Sequence, residues 1–176
     1  MTTICAGLFR QFIASTILFA GMLQASRATE LLPPKGPVIL TVTGMIGRAN
    51  DKDGSAKFDL ELLDQLPQTT FQTRTIWTEG DPEFTGVSLS VLLEALEAHG
   101  KILRMTALNE YAVDVPIAEA VDEGPILASR MNGNPITVRQ KGPLWLIYPY
   151  DTNPEYKSEV TYSQSVWQLK SIDVRD

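Results

Sequence analysis

Cysteine and histidine are almost absent from this sequence, which has one of each in 176 residues. Zinc sites take most of their ligands from these two residue types, and a histidine base commonly activates a cysteine or serine nucleophile. Cys5 lies near the N-terminus, and His99 falls in the last turn of a predicted helix, where a cation is favourable for electrostatic reasons alone. The sequence therefore argues against zinc enzymes and against cysteine or serine hydrolases.

Basic residues are also few: 15 lysines and arginines stand against 21 aspartates and glutamates, and the formal net charge is −6 at pH 7. Nucleic-acid binding depends largely on lysine and arginine contacts to phosphates. Anionic membrane surfaces repel an acidic protein for the same reason. We therefore expect no nucleic-acid partner for this chain.

Long apolar runs are missing too, because the uncharged stretch at residues 12–23 is shorter than the roughly 20 apolar residues that span a bilayer. Arg10 precedes this stretch, and Ser26 and Ala28 follow it with the small-x-small spacing of a signal-peptidase site. The pattern predicts a secretory signal peptide at residues 1–28 and a periplasmic or secreted mature chain without a membrane span. An uncleaved membrane anchor is the alternative that the short apolar run disfavours.

The remaining sequence predicts an extended, proline-rich tether at residues 29–37 and one domain at residues 38–176. Its fold class is α+β: a single compact domain of mixed short β-strands and hairpins, with one well-defined amphipathic helix and short helices. A short helix is expected at residues 59–66, and another can begin at Pro116. The expected strands, of which 102–115 and 125–138 are hairpins, lie at 38–43, 69–78, 102–115, 125–138, 144–150 and 168–174.

Two local signals are stronger than the others. Ser88 can cap a helix that Gly100 ends, and this helix carries an apolar stripe at i, i+3, i+4 and i+7. The stripe consists of Leu89, Leu92, Leu93 and Leu96. The Asn132-Gly133 pair between two strand patterns predicts a hairpin with a type I′ turn, since both central residues of that turn need positive φ.

Charged residues that could carry chemistry gather in two places. The acidic turn at residues 79–83 could hold a hard cation or act in acid–base catalysis, or it is simply a solvated turn. Arg130, Arg139 and Lys141 lie around the predicted hairpin. A Lys-Gly turn at Lys141 suits an oxyanion, although charged strand edges explain the same residues.

The order of these elements resembles a known family. In the run TIWTEGDPEFTGVSLSVLLEAL, the pairs at 79–80 and 86–87 match a Glu-Gly turn followed by a Gly-Val-x-Leu motif and a helix. The segments PILASRMNGNPITVRQKGPLWLIYP and WQLKSIDV match later motifs in the same order. This pattern resembles the sulfite-oxidase-fold, molybdopterin-binding oxidoreductase domains, and the similarity covers residues 38–174.

The resemblance implies a cysteine thiolate that binds molybdenum three residues before Gly80, but this sequence has Trp77 there. An indole only donates N–H and cannot replace a soft sulfur ligand. We therefore expect a non-catalytic periplasmic relative without a cofactor, which binds a small anionic ligand or a periplasmic or membrane protein partner. Two alternatives remain open: a molybdopterin-dependent oxidoreductase with non-cysteine ligation, and a structural or assembly subunit whose cleft Trp77 fills.

A cleft at the family's cofactor position would be lined by a small set of polar and aromatic residues. Lys141 and Arg130 are its predicted anion contacts. The complete predicted set is Trp77, Glu79, Arg130, Asn132 and Lys141, with Tyr148 and Tyr150 nearby.

Overall fold

A computed structural model describes residues 31–176 of the chain. The predicted signal peptide, its cleavage site after Ala28 and the first two residues of the predicted tether lie outside the described residues. Between residues 31 and 176, no helix is both long and apolar enough to cross a membrane.

Residues 31–176 form ten strands and three short α-helices, with single turns of 3₁₀-helix at 117–119, 138–140 and 154–156. The strands are β1 (Leu40–Gly44), β2 (Ala56–Phe58), β3 (Gln68–Gln72), β4 (Glu83–Ser88), β5 (Ile102–Ala107), β6 (Ala112–Pro116), β7 (Ile126–Met131), β8 (Asn134–Pro135), β9 (Trp145–Ile147) and β10 (Leu169–Arg175). The helices are α1 (Leu60–Asp64), α2 (Leu89–Ala95) and α3 (Glu159–Gln164).

The first sheet has the strand order β2-β1-β10-β5-β6. β1 and β10 run parallel, with Thr41 opposite Ser171, while the other neighbours are antiparallel. Side chains in β5 alternate between half-buried and buried, which is the pattern of a strand with one face on the core. One face of this sheet therefore supplies half of the main hydrophobic core.

The second sheet has the order β3-β4-β7-β8, and β9 also pairs with β7. Unlike the first sheet, it is buried on both faces, since four consecutive residues of β7, Ile126 to Ser129, are buried. Leu127 and Leu146 face the main core together with α2. The opposite face carries a second, smaller cluster, which contains Phe84, Ile126, Ala128, Ile136, Trp145 and Ile147.

Capping interactions define where α1 begins. The Asp59 carboxylate accepts a hydrogen bond from the Leu62 N–H at 2.8 Å, so Asp59 is a true N-cap. Its second oxygen accepts from the N–H groups of Lys35 and Gly36 at 2.8 and 2.7 Å. The Gly36 and Leu62 N–H groups hold the pKa of Asp59 below its ordinary value. One buried carboxylate thus fixes both the helix and the chain segment that leads into β1.

Most predicted elements are confirmed, including the type I′ turn, where Asn132 and Gly133 have φ of 51° and 73°. The prediction for the leucine helix was wrong at its ends. Ser88 occupies the N-cap position, but its side chain bonds to the Ser90 hydroxyl and not to the backbone. The helix ends at Ala95, and the chain leaves it through Glu97 in the left-handed region (φ 51°), before Gly100 is reached.

The strand predicted at 69–78 was also wrong in its second half, because β3 ends at Gln72. Beyond that residue the backbone bonds to other partners: the Arg74 N–H donates to the Asp151 carboxylate and the Trp77 N–H donates to the Thr75 hydroxyl. Side-chain acceptors of this kind compete with the strand ladder. The alternating residues from Thr73 onward therefore lie in a loop.

We predict that Gly86→Ala destabilises the fold by about 1–3 kcal/mol, as expected for overpacking. A Cβ at Gly86 would lie 2.0 Å from the Leu127 carbonyl oxygen across β4 and β7, so one strand must move. Urea unfolding measures this loss.

Gly54→Asn is the control for this prediction, since Gly54 has φ +81° with no atom within 4 Å of a Cβ, and asparagine tolerates that conformation. It should change stability by no more than about 0.5 kcal/mol. Equal effects of the two substitutions would contradict the close approach of β4 and β7.

Candidate functional site

The loop at residues 73–82 positions Trp77. The loop is closed at its base by the Thr73 N–H, which donates to the Pro82 carbonyl at 3.2 Å. Asp151 anchors the first part of the loop, because its carboxylate accepts a hydrogen bond from the Arg74 N–H at 2.8 Å. These bonds hold the loop over the face of the second sheet that carries the smaller hydrophobic cluster.

Trp77 is the centre of an aromatic cluster. Its ring centroid lies 5.7 Å from Trp167, 5.8 Å from both Trp145 and Tyr162, and 6.5 Å from Tyr150. All four contacts are edge-to-face, the arrangement in which the positive edge of one ring meets the negative face of another. Trp77 is half-buried, so one part of the ring packs and another part remains accessible.

A cavity of about 390 Å³ opens beside this cluster. The turn between β5 and β6 forms one wall, and α3 with the segment before β10 forms another. Among the described residues that line the cavity, none is acidic, basic or a histidine. The side chains that shape it most are Trp77, Asn109, Tyr111, Tyr162, Ser163 and Trp167.

One hydrogen bond shapes a wall of the cavity, and a second ties the two walls together. The Asn109 side-chain oxygen accepts from the Tyr111 N–H at 3.1 Å and shapes the β5–β6 turn. The Tyr111 hydroxyl then donates to the Ser163 carbonyl at 2.9 Å. The turn is therefore tied to α3 across the cavity, and the cavity has a defined shape without a ligand.

The structure places three of the predicted site residues, Trp77, Lys141 and Tyr150, at the aromatic cluster. The Lys141 ammonium lies 4.4 Å from the Trp167 ring centroid and 5.7 Å from that of Trp145, within cation–π range. Tyr150 is buried, and its hydroxyl bonds to the Ser165 hydroxyl.

Tyr148 is buried as well, but its hydroxyl turns away from the cavity and donates to the Glu119 carboxylate at 2.7 Å. Burial raises the pKa of the Tyr148 and Tyr150 phenols, so neither ionises near neutral pH. Both tyrosines pack the region behind the site.

Arg130, Asn132 and Glu79 are not brought into the cavity wall. Arg130 forms a two-pronged ion pair with Asp64 at 2.7 and 2.6 Å, which raises the pKa of its guanidinium. Asn132 accepts from the Glu83 N–H in the hairpin turn, and Glu79 is exposed in the loop. The anion-binding role of Lys141 and Arg130 stays a prediction.

Sequence reasoning missed the cavity residues Asn109, Tyr111, Tyr162 and Ser163. They come from two segments about 50 residues apart, and no short motif links them. No sequence signal marked them, since the exposure of Tyr111 after the β5–β6 turn is visible only in the structure.

The residues at this site do not fit a molybdenum held by the protein. Trp77 offers only an indole N–H where the resemblance implies a thiolate. Within residues 31–176, no three histidine, cysteine, aspartate or glutamate side chains cluster as a metal site would require. The arrangement is that of a mostly apolar cavity.

We predict that Trp77→Ala lowers the free energy of unfolding by about 3 kcal/mol, the lower end of the range for deleting a packed tryptophan. The four ring contacts are lost together, whereas Trp77→Phe keeps an aromatic ring and should cost less than half as much. Urea unfolding followed by circular dichroism measures both. A loss below about 0.5 kcal/mol for the alanine variant would contradict the packing of Trp77 in the cluster.

The comparisons with known proteins agree with this geometry in part. The chain is similar in structure to the sulfane dehydrogenase SoxCD from Paracoccus pantotrophus, with a TM-score of 0.58 and 20% identity. The alignment covers 78% of this chain and 38% of that chain, so the likeness shows the shared fold alone. No curated protein matches the sequence.

The model of the oxidoreductase molybdopterin binding domain matches residues 40–152, well over half of the chain. The match begins at β1, includes Trp77 and the whole hairpin, and ends after Tyr150. The fold predicted from the sequence, a compact α+β domain of the sulfite-oxidase type, is confirmed. This chain belongs to the oxidoreductase molybdopterin binding domain family.

Proposed function

We propose that this chain is an exported, non-catalytic member of the family that binds a small ligand in the cavity beside Trp77. The observation that carries the proposal is the position of Trp77: an indole stands where the family resemblance implies the metal-binding thiolate, and a cavity of about 390 Å³ lies next to it. Ligand pockets in proteins commonly measure about 300–1,000 Å³ and are mostly apolar. The cavity has the size and the lining of such a pocket.

The lining of the cavity supports binding over catalysis. General acid–base catalysis needs a side chain that exchanges a proton near the working pH, most often histidine or a carboxylate. The described residues that line the cavity include neither, and they include no lysine or cysteine nucleophile. A molybdopterin-dependent oxidoreductase with non-cysteine ligation is the first alternative, and the family membership is what favours it.

A protein partner is the second candidate, and the rim of the cavity favours it. Ile76 is 65% exposed and precedes Trp77, and Val160 is 64% exposed and accepts through its carbonyl from the Ser163 hydroxyl. Leu108 and Tyr111 are also exposed and belong to the turn that forms one wall. Apolar side chains grouped around a pocket mark interaction surfaces, so a periplasmic or membrane protein could cover the mouth.

A purely structural role, with Trp77 filling the old cleft, receives less support. Trp77 does pack against four other rings. The space beside those rings nevertheless stays open, and the hydrogen bond from the Tyr111 hydroxyl to the Ser163 carbonyl joins its two walls.

We predict that the protein purified from its own host contains no stoichiometric molybdenum and no extractable pterin. Elemental analysis and fluorescence of the oxidised, acid-released pterin measure the two. The proposal predicts this result because no thiolate stands at the Trp77 position. About one molybdenum atom per chain would overturn the non-catalytic proposal in favour of the oxidoreductase.

We predict for the export proposal that the mature protein begins at Thr29. Intact-mass measurement of the chain in a periplasmic extract of the host checks this, with Ala28→Leu as the variant that blocks the small-residue cleavage site. A chain that keeps Met1 in the cytoplasmic fraction would contradict export.

A further inference from the structure

We infer that the cavity beside Trp77 takes an uncharged, planar ring compound that carries hydrogen-bond acceptors. This inference rests on the proposed ligand-binding function and names the chemical class of the ligand. Three observations lead to it: the shape of the walls, the lack of ionised groups among the lining residues, and the unpartnered hydrogen-bond donors that these residues carry.

The walls favour a flat ligand. Four aromatic side chains line the cavity: Trp77, Tyr111, Tyr162 and Trp167. Trp77 meets Trp167 and Tyr162 edge-to-face, at interplanar angles of 73° and 86°. Walls set at such angles offer a flat ring both faces and edges to contact, and aromatic pairs in these geometries gain energy beyond simple burial.

The charges favour a neutral ligand. No described lining residue is acidic or basic, so an ionised ligand would lose hydration without gaining an ion pair. Lys141 is not one of the residues that line the cavity, because its ammonium lies over the Trp167 ring, where it would repel a bound cation. Arg130 is paired with Asp64 and is not available to an anion. The inferred ligand is therefore uncharged, in contrast to the anion that the sequence alone predicts.

The hydrogen-bond inventory favours acceptor atoms on the ligand. Within residues 31–176, the indole N–H groups of Trp77 and Trp167 and the Tyr162 hydroxyl have no hydrogen-bond partner. No buried side-chain polar atom there is unsatisfied, so these three groups are open to solvent. The third indole, that of Trp145, is satisfied because it donates to the Ser165 carbonyl at 3.2 Å. An indole can only donate, so its complement on a ligand is an acceptor.

The three tryptophans of the chain also provide the test, because each indole N–H gives a separate signal in a nitrogen–proton correlation spectrum. Quinoxaline, a neutral planar ring with two acceptor nitrogens, is titrated into the labelled mature chain. The Trp77 and Trp167 signals should shift and saturate, and the Trp145 signal should shift least. Quinoxaline-2-carboxylate and 1-methylquinoxalinium should bind at least about tenfold more weakly, because each must shed hydration without an ionic partner.

A matched pair of tyrosine variants tests the donors. Tyr162→Phe removes the free hydroxyl and keeps the ring, and it should weaken quinoxaline binding about threefold to tenfold, the value of one hydrogen bond. Tyr156→Phe also removes a hydroxyl, but Tyr156 is not part of the cavity wall, so binding should not change.

Two results would overturn the inference: quinoxaline that leaves the Trp77 and Trp167 signals in place, or a charged analogue that binds as tightly as quinoxaline. These failures differ from a failure of the proposed function. If a compound of another class shifts the two signals, the ligand class is wrong and the binding function stands. If the host protein contains molybdenum, the binding function itself is wrong.

Discussion

The face of the second sheet that carries the smaller hydrophobic cluster must be covered, and the packing of Trp77 on Trp145 covers it. Trp145 is fully buried, and its side chain lies on the face of the second sheet away from the main core. Trp77 contacts both hydrophobic clusters. The 73–82 loop, the segment before β10 and the cavity between them are therefore arranged around this one indole. Without it, the sheet would expose an apolar face to water, which costs about 25 cal/mol for each Å².

This packing explains how the family fold persists with Trp77 at the position where the resemblance implies the metal-binding thiolate. A thiolate at the position of Trp77 would have to face a metal, whereas an indole can satisfy most of its surface on neighbouring rings. The fold needs only that the loop be covered and anchored, which the bond from the Arg74 N–H to Asp151 achieves. The loop can therefore stabilise the fold without carrying a metal ligand, and in this chain Trp77 and the bond to Asp151 stabilise it.

Local signals in the sequence predicted most of the fold, because the Asn132-Gly133 turn and the alternation of β5 each depend on neighbouring residues. The end of β3 could not be predicted, since the acceptor that draws the backbone out of the sheet, Asp151, lies 77 residues from Arg74. The site was harder still. Trp77 was identified through the family pattern, but the cavity wall at Asn109 and Tyr162 exists only after β5, β6 and α3 have packed together.

The first sheet has a consequence for how the molecule is made. Its central strand, β10, is the last element in the sequence, and it joins β1 to β5. Until Leu169 to Arg175 are available, β1 and β5 each present an unpaired edge, and contacts between distant segments form slowly. The first sheet therefore cannot be completed before β10 has been made, whereas the second sheet does not contain this strand. Until then the unpaired edges of β1 and β5 are the sites at which aggregation would begin.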